Sequence, residues 1–270
     1  MAPENHVAKP SEVLVEHRGA LRVLTLNRPD KLNSFNEAQH RALRAAMDAA
    51  AADDECRAII LTGAGRGFCA GQDLSDRVRP EGGAAPDLGA TLETFYNPLI
   101  RAIRALPKPV ICAVNGVAAG AGANLALACD LVLAARSAKF VQAFSKIGLI
   151  PDSGGTWMLP RLVGEARAKA LAMLAIPVPA EEAERIGMIY RAVDDAALMG
   201  EAIALGEALA KAPTLGLAET KALIQQALTV SLDRQLDDER DAQRRLGRSA
   251  DYAEGVRAFM EKREATFRGR

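Results

Sequence analysis

The chain has 270 residues, of which 49% are hydrophobic and 25% are charged, proportions typical of a soluble globular protein. Its 34 basic and 34 acidic residues balance, so no net positive field attracts nucleic acid, and a nucleic-acid partner is disfavoured. The four cysteines form no C-x-x-C pair and the first residues lack the features of a signal peptide, which predicts a reduced, cytoplasmic protein.

The first predicted elements are a β-hairpin and a helix. Residues 13–17 and 21–26 are rich in β-branched and aliphatic side chains and are separated by a short turn. A helix over 36–53 follows, with Asn36 as its N-cap and Gln39 in the position that completes a capping box.

Strands and helices alternate after this helix. The predicted elements are a strand over 57–62, a glycine loop over 63–71, a polar segment over 75–89, a helix over 91–106, a strand over 110–114, a glycine turn over 115–122 that leads into a helix ending at 128, and short strands over 131–134, 140–142 and 190–193. The polar segment is either a mobile flap over a site or an ordinary surface loop. The alternation predicts a layered α/β protein.

Residues 109–129 carry no formal charge and are long enough to cross a bilayer. Proline, glycine and asparagine interrupt this stretch, and a lipid-facing helix tolerates them poorly. The pattern therefore predicts a buried strand, a glycine turn and a buried helix, and no membrane partner.

The chain after residue 198 is predicted to be helical. The predicted helices are 199–211, 216–228, 232–246 and 252–263. We therefore expect a core over 1–198 and a helical region over 199–270 that packs on the core or on another subunit.

Two glycine-rich segments, 63–73 and 115–124, each follow a predicted strand. The first lacks the G-x-G-x-x-G spacing of a dinucleotide site. Glycines at strand ends let main-chain N–H groups approach a ligand, and the second segment opens a helix, whose first N–H groups have no intrahelical partner. The two segments either aim two donors at one oxyanion or simply allow close packing of helix on strand.

Asp152 begins the sequence Asp152-Ser153-Gly154-Gly155, which superficially matches the nucleophile loop of chymotrypsin-type proteases. A protease of this type needs a histidine base. His6 is in the expected tail, His17 is at a hairpin edge, and His40 is on a helix that is expected to be solvated, so the protease is disfavoured.

The neighbours of Asp152 suggest two other roles for it. Ile150, Pro151 and Trp157 form an apolar setting, which raises the pKa of a carboxyl group. Alternatively, Asp152 is an N-cap for the helix that follows.

These three segments, in this order, resemble the enoyl-CoA hydratase/isomerase (crotonase) superfamily. The resemblance runs along nearly the whole chain, over residues 26–29, 67–73, 114–130, 148–156 and 255–263. It implies an α/β fold, a crotonase-type spiral of repeated ββα units with a C-terminal helical region, assembled as homotrimers or dimers of trimers. It also implies an acyl-CoA thioester substrate whose carbonyl oxygen is held by two main-chain N–H groups.

The resemblance assigns these donors to Gln72, after Ala70-Gly71, and to Ala121, after Gly120. The positions implied to bind substrate or CoA are Lys31, Ala70, Gly71, Asp73, Leu74, Gly120, Phe259 and Lys262. Each lysine is alternatively a solvated surface charge, and Phe259 is alternatively a helix-packing residue.

Departures from the hydratase pattern bear on the reaction. The two glutamates that activate water in hydratases correspond to Asn124 and Phe144, and neither side chain is a base, which disfavours hydration. Asp152 corresponds to the working carboxylate of dienoyl-CoA isomerases.

Residues 65–74, 116–122, 134–139, 149–157 and 247–252 further resemble the phenylacetate-degradation subgroup, which converts ring-1,2-epoxyphenylacetyl-CoA to oxepin-CoA. In such a reaction Asp152 takes the proton from the α-carbon and returns it to the γ-carbon, while the two N–H donors stabilise the enolate. This chemistry needs no metal, flavin or nicotinamide cofactor. The alternatives are a 3-enoyl- or dienoyl-CoA isomerase of fatty-acid oxidation and a non-enzymatic scaffold subunit.

Overall fold

The computed structural model describes residues 11–77 and 86–270. The strands in this part of the chain are β1 Val13–Arg18, β2 Leu21–Leu26, β3 Ala58–Gly63, β4 Gly67–Cys69, β5 Val110–Val114, β6 Val117–Ala119, β7 Leu131–Ala135, β8 Lys139–Val141, β9 Val178–Pro179 and β10 Arg191–Val193. The helices are α1 Glu37–Ala52, α2 Leu88–Thr91, α3 Asn97–Ala105, α4 Ala121–Ala128, α5 Gly155–Val163, α6 Glu165–Leu174, α7 Ala180–Arg185, α8 Leu198–Lys211, α9 Thr214–Gln226, α10 Leu232–Leu246 and α11 Ala250–Glu261. A π-helical turn, Leu92–Tyr96, joins α2 to α3.

The strands form two sheets. The larger has the order β1-β2-β3-β5-β7-β10, with β1 antiparallel to β2 and the other neighbours parallel. The smaller has the order β4-β6-β8-β9. Since β3-β4, β5-β6 and β7-β8 each send one strand to each sheet before the chain turns helical, the chain repeats ββα units in a spiral. The predicted fold class is therefore confirmed.

The core surrounds the middle of the larger sheet. Every residue of β3 and β5 is buried, which explains why both strands are almost continuously aliphatic. Helix α8 packs on this sheet, and Gly206 permits the contact, because a Cβ there would lie 2.8 Å from Leu21 Cδ1. The first helix after residue 198 thus packs against the core, while the proposed boundary at this point stays a prediction.

The apolar stretch 109–129 folds as predicted into a buried strand, a turn region and a buried helix. These are β5, the segment containing β6, and α4, whose eight residues are all buried. Within residues 11–77 and 86–270, no helix is both long and apolar enough to cross a membrane.

The structure corrects the prediction that the two glycine segments are simple loops. Each contains a three-residue strand, β4 or β6, and these strands pair in parallel. Strands this short carry no recognisable alternation, so they become visible only through their pairing. The segment between residues 155 and 189, where only a helix after Asp152 was considered, contains α5, α6, β9 and α7. Of the predicted flap over 75–89, residues 78–85 lie outside the described residues.

The start of α1 differs from the prediction in two respects. The N-cap is confirmed, because Asn36 Oδ1 accepts a hydrogen bond from the Gln39 N–H at 2.8 Å. The capping box is wrong, because the Gln39 side-chain amide is fully buried and has no hydrogen-bond partner among the described residues. The predicted solvation of His40 is also wrong, since its ring is stacked between Phe35 and Phe95.

Candidate active site

The site forms where the chain leaves β4 and β6. These neighbouring strands are parallel, so their carboxyl ends lie side by side and bring residues 70–73 next to residues 120–121. Asn33 supports the approach to β4 by donating to the carbonyls of Ala64 and Gly67 at 2.9 and 2.8 Å.

Gln72 is held in a one-residue parallel bridge with Phe35. The Phe35 N–H donates to Gly71 O at 2.7 Å, and the Asp73 N–H donates to Phe35 O at 2.9 Å. In this register the N–H of Gln72 itself points away from the bridge. It donates to no group within the described residues and Gln72 lines a cavity, so this N–H is a donor available to a ligand.

Ala121 supplies a second N–H of this kind. It is the first residue of α4, and Gly120 before it has φ +52° and ψ −126°, a conformation suited to glycine. The Ala121 N–H has no partner in the described part of the chain, as expected for the first turn of a helix, and Ala121 lines the same cavity.

Gly71 lets the two segments meet. Its φ is +88°, and a Cβ built on it would lie 2.8 Å from Ala119 O and 3.4 Å from Ala121 N. Any side chain at this position therefore pushes the Gln72 and Ala121 donors apart.

Asp152 lies in the loop that precedes α5, and it lines the cavity that contains both donors. Burial raises the pKa of its carboxyl group to about 6, although a hydrogen bond from the Ser153 hydroxyl opposes this rise. The Ser153 Oγ donates to Asp152 Oδ1 at 2.9 Å. A carboxyl group with this pKa both accepts and releases a proton near neutral pH.

Asn124 holds the loop of Asp152 from inside the protein. Its Nδ2 donates to Asp152 O and its Oδ1 accepts from Gln142 Nε2, both at 2.8 Å. Asn124 is fully buried, and a Cβ on Gly155 would lie 2.3 Å from its amide nitrogen, so the loop packs directly on this side chain. Asn124 thus positions the main chain of Asp152.

The cavity has a volume of about 550 Å³. Its walls are mostly apolar, and the lining residues are Ala70, Gly71, Gln72, Leu74, Leu88, Thr91, Leu92, Tyr96, Gly120, Ala121, Ala143, Phe144, Lys146, Ile147, Leu149, Ile150, Pro151 and Asp152. An apolar cavity with a few convergent polar groups is the usual form of a small-molecule site.

The structure brings seven of the predicted site residues together in this cavity, and these are Ala70, Gly71, Gln72, Leu74, Gly120, Ala121 and Asp152. Asp73 lies behind the wall, where its carboxylate is paired with Arg28 at 3.0 Å. Hydrogen bonds from Ser75 and the nearby Arg28 hold the pKa of Asp73 below its usual value. Lys31 is exposed on a 3-10 turn next to Leu32, whose carbonyl accepts from the Ala70 N–H.

The two predicted residues of α11 do not line the cavity. Phe259 is 82% exposed and Lys262 is exposed at the end of the helix. The last residues of the chain pack on α11, and one of them, Phe267, accepts a hydrogen bond from the Arg57 guanidinium through its carbonyl oxygen. Arg57 precedes the amino end of β3, whereas the site loops leave the carboxyl ends of strands, so α11 is anchored away from the cavity.

Two alternatives for the Asp152 motif are wrong. Asp152 is not an N-cap, because α5 begins after Gly154 without a side-chain cap. Among residues 11–77 and 86–270, Ser153 is not paired with a histidine: its buried hydroxyl donates to Asp152, while His17 is exposed on β1 and His40 is enclosed by aromatic rings. His6 lies outside the described residues.

A larger groove of about 840 Å³ lies between α3, α5 and α9. Its most prominent side chains already have partners, since the Arg104 guanidinium lies over the Trp157 ring and Glu219 pairs with Arg245. Neither Asp152 nor the two free N–H groups border this groove, so the smaller cavity is the candidate site.

Among residues 11–77 and 86–270, no group of three or more His, Cys, Asp or Glu side chains is arranged to hold a metal ion. The prediction that no cofactor is needed stays a prediction. Sequence reasoning missed Tyr96 and the apolar residues Leu88, Leu92 and Ile147, because nothing in their local pattern links them to a shared cavity.

Comparison with known proteins gives consistent results. The family model of enoyl-CoA hydratase/isomerase matches residues 16–270. The chain is 57% identical to a 1,2-epoxyphenylacetyl-CoA isomerase of Escherichia coli K12, covering 96% of this chain and 99% of that protein. It is 50% identical to a protein of Rhodobacter capsulatus named "Probable enoyl-CoA hydratase", covering 93% and 95% of the two chains. The crystal structure of an enoyl-CoA hydratase from Bacillus anthracis superposes with a TM-score of 0.90 at 32% identity, covering 96% of this chain and all of that one.

Proposed function

This chain belongs to the enoyl-CoA hydratase/isomerase family, and we propose that it isomerises ring-1,2-epoxyphenylacetyl-CoA to oxepin-CoA in phenylacetate degradation. The observation that carries the proposal is one carboxylate of raised pKa in the same apolar cavity as two main-chain N–H groups that have no partner among the described residues. The similarity to the E. coli isomerase supports the choice of substrate.

The N–H groups of Gln72 and Ala121 bind the thioester oxygen. A proton on the carbon next to a thioester is only weakly acidic, so its removal depends on stabilising the enolate oxygen as negative charge develops. Donors fixed by a β-bridge and by a helix start need no rearrangement when this charge appears. Each such donor is expected to contribute about 2.7–4 kcal/mol.

Asp152 moves the proton. The carbon–carbon bond shared by the epoxide and the six-membered ring breaks as the ring expands to the oxepin, which leaves a double bond between the β- and γ-carbons. The Asp152 carboxylate removes the proton from the α-carbon, this double bond moves to the α- and β-carbons, and the resulting carboxylic acid returns the proton to the γ-carbon, so one group acts first as base and then as acid. The product is an isomer of the substrate, and no electron or water is gained or lost. We therefore propose no cofactor, with CoA serving as part of the substrate.

Hydration of an enoyl-CoA is disfavoured by the surroundings of Asp152. The position of one hydratase glutamate is Asn124, whose amide is used in hydrogen bonds to Asp152 O and Gln142. The position of the other is Phe144, an apolar ring in the cavity wall. Asp152 is the only carboxylate among the described residues that line the cavity, so none of these supplies a second carboxylate to position water.

We also propose that the protein is cytoplasmic and assembles as a trimer or a pair of trimers, with the region after residue 198 in the contacts. The exposed apolar side chains of α11 support such a contact, since Phe259 is 82% and Met260 74% exposed. In this assembly Phe259, Lys262 and Lys31 contribute to CoA binding. Light scattering on the purified protein tests the assembly, and a monomer would contradict it.

Asp152→Asn tests the proposed chemistry. We expect turnover of a cis-3-enoyl-CoA and of the ring epoxide to fall by about 10²–10⁴-fold, while binding of acyl-CoA is retained. Asp48→Asn, which alters an exposed carboxylate on α1, is the control and should leave turnover unchanged.

Three results would redirect the proposal. Near-normal isomerase rates in Asp152→Asn would remove its basis. Strong preference for aliphatic 3-enoyl-CoA over the ring substrate would favour the fatty-acid isomerase. Rapid hydration of crotonyl-CoA in a parallel assay would assign the protein to the hydratases.

A further inference from the structure

The π-helical turn between α2 and α3 brings a buried tyrosine to the back of the candidate site. In this turn the Asn97 N–H donates to Leu92 O, five residues earlier, instead of four. One additional residue in a turn rotates the side chains that follow by about 100°, and such turns are frequent at functional sites. Tyr96, the last residue of the turn, is 3% exposed and lines the cavity.

The hydroxyl of Tyr96 donates to Gln72 Oε1 at 2.8 Å. At the other end of the same amide, Gln72 Nε2 donates to Phe35 O at 3.0 Å and to Asp73 O at 3.3 Å. The amide orientation is unambiguous, because the phenol is a donor to the oxygen and both carbonyls accept from the nitrogen.

Aromatic packing holds the Tyr96 ring in this position. The rings of Phe35 and His40 meet it edge to face, with centroids at 5.8 and 4.3 Å. His40 does not compete for the hydroxyl, because neither ring nitrogen has a hydrogen-bond partner in the described part of the chain. The phenol is thus aimed at Gln72 by two neighbouring rings.

Phe35 connects this cluster to the main chain of the site. Its N–H and C=O form the bridge on either side of Gln72, and the same carbonyl receives the Gln72 side chain. Gln72 is therefore fixed through its neighbours' peptide groups and through both ends of its amide. A change at the Oε1 end releases one of these attachments and allows the peptide plane of Gln72 to turn.

We infer that Tyr96 is a positioning residue, which acts through the side chain of Gln72 to aim the Gln72 N–H at the thioester oxygen. The inference rests on the proposed function in that it assumes an acyl-CoA in this cavity. It assigns Tyr96 a role in enolate stabilisation and no direct contact with the reacting atoms.

The test measures enolate stabilisation without turnover. Acetoacetyl-CoA bound to the protein ionises to an enolate that absorbs in the near ultraviolet, and the bound enolate fraction reports on the two N–H donors. We expect Tyr96→Phe, which removes only the hydroxyl, to lower the enolisation constant about 5- to 10-fold, the effect of one hydrogen bond. The affinity for a saturated acyl-CoA should not change. Tyr190→Phe, at an exposed tyrosine, is the matched control.

A double-mutant cycle separates positioning from a general packing effect. In Gln72→Met the amide is absent, so adding Tyr96→Phe should cause no further loss. Equal losses in the two backgrounds, or a wild-type enolate fraction in Tyr96→Phe, would overturn the inference. Thermal unfolding of each variant checks that the fold is retained.

The outcome is distinguishable from failure of the proposed isomerisation. If the protein enolises acetoacetyl-CoA in a Tyr96-dependent way but does not isomerise 3-enoyl-CoA or the epoxide, the inference stands and the proposed reaction fails. If acetoacetyl-CoA binds without enolate formation, the inferred role of Tyr96 is rejected. The turnover of Asp152→Asn still tests the proposed reaction independently.

Discussion

The cavity wall formed by residues 70–73 and 120–121 presents main-chain N–H groups, whereas the wall formed by residues 143–152 presents one side-chain carboxylate. In the first wall, strand pairing and two glycines of positive φ set the geometry, so the donors depend little on side-chain identity. In the second, a single residue carries the reactive group, and buried amides hold its loop. Under the proposed function, this difference separates recognition of the thioester, assigned to the main chain, from the choice of reaction, assigned to a few side chains.

Among changes that leave Asp152 in place, the largest effect should follow from forcing the two N–H donors apart. Gly71→Ala places a methyl group 2.8 Å from Ala119 O in a backbone with φ +88°, so the segments must separate. We expect kcat to fall about 10²–10³-fold, as when an oxyanion donor is lost. The control is Gly19→Ala, which also has positive φ but no atom within 4 Å of its Cβ. Similar kinetics for the two variants would show that Gly71 does not set the donor geometry.

A smaller effect should follow from loosening the carboxylate wall. Asn124→Ala leaves Asp152 O with one donor fewer and Gln142 Nε2 without its acceptor, so we expect about 10-fold lower kcat. The unfolding free energy should fall by about 1–3 kcal/mol, the cost of unpaired buried polar groups. Denaturant unfolding and steady-state kinetics measure both. Asn27→Ala, at an exposed asparagine hydrogen bond, serves for comparison, and equal effects would argue against a special role for Asn124.

The pH dependence of kcat/KM should show the titration of Asp152, the carboxyl group of the second wall. The base must be ionised and burial raises the pKa of Asp152 to about 6, so kcat/KM should increase with pH up to about 6 and then level off. The Gly71 and Gly19 variants should keep the same midpoint, since main-chain donors do not titrate. A profile without this acidic limb would mean that Asp152 is not the base.

The smallest effect concerns stability. The folded state binds the Asp152 proton more tightly than the unfolded state, because the pKa rises from 3.8 to about 6. The ionised form therefore costs free energy above pH 6, and the cost disappears as the pH falls through 6 towards 3.8. The pKa difference corresponds to about 3 kcal/mol, and the weaker hydrogen bond from Ser153 to a neutral amide offsets part of it. Asp152→Asn should therefore raise the unfolding free energy by about 1–2 kcal/mol at about pH 8 and change it little at about pH 4. Asp48→Asn should have no such effect, and a destabilised Asp152→Asn at about pH 8 would contradict this account.

Local sequence was sufficient for the buried central strands and for one long, mostly exposed helix. Both β3 and β5 are short runs of aliphatic residues bounded by polar or glycine residues, and α10 was predicted with its observed bounds. In contrast, β4 and β6 have only three residues each and depend on pairing with other segments, β4 with β6 and β6 with β8. The second sheet, and therefore the meeting point of the two donors, could not be read from either segment alone.

The burial of His40 could have been predicted from the helical spacing of the buried residues in α1. His40 lies three residues before Leu43 and seven before Met47, which continues the buried face of α1. The expectation that this helix is solvated outweighed that pattern. The aromatic rings of Phe35, Phe95 and Tyr96, which enclose His40, come from outside α1 and decide the matter.

The sequence by itself determined the chemical groups of this protein: glycines where two segments cross, a carboxylate in an apolar loop, and amide or aromatic residues where hydratases carry glutamates. The glycines and the carboxylate follow from residue identity and spacing, and the comparison with the hydratase glutamates follows from the family resemblance. Only the tertiary structure decided which N–H groups lack partners, how deeply Asp152 is buried, and that Tyr96 holds Gln72. The reason is physical, because hydrogen-bond satisfaction and desolvation depend on every segment that packs around a group and not on its neighbours along the chain.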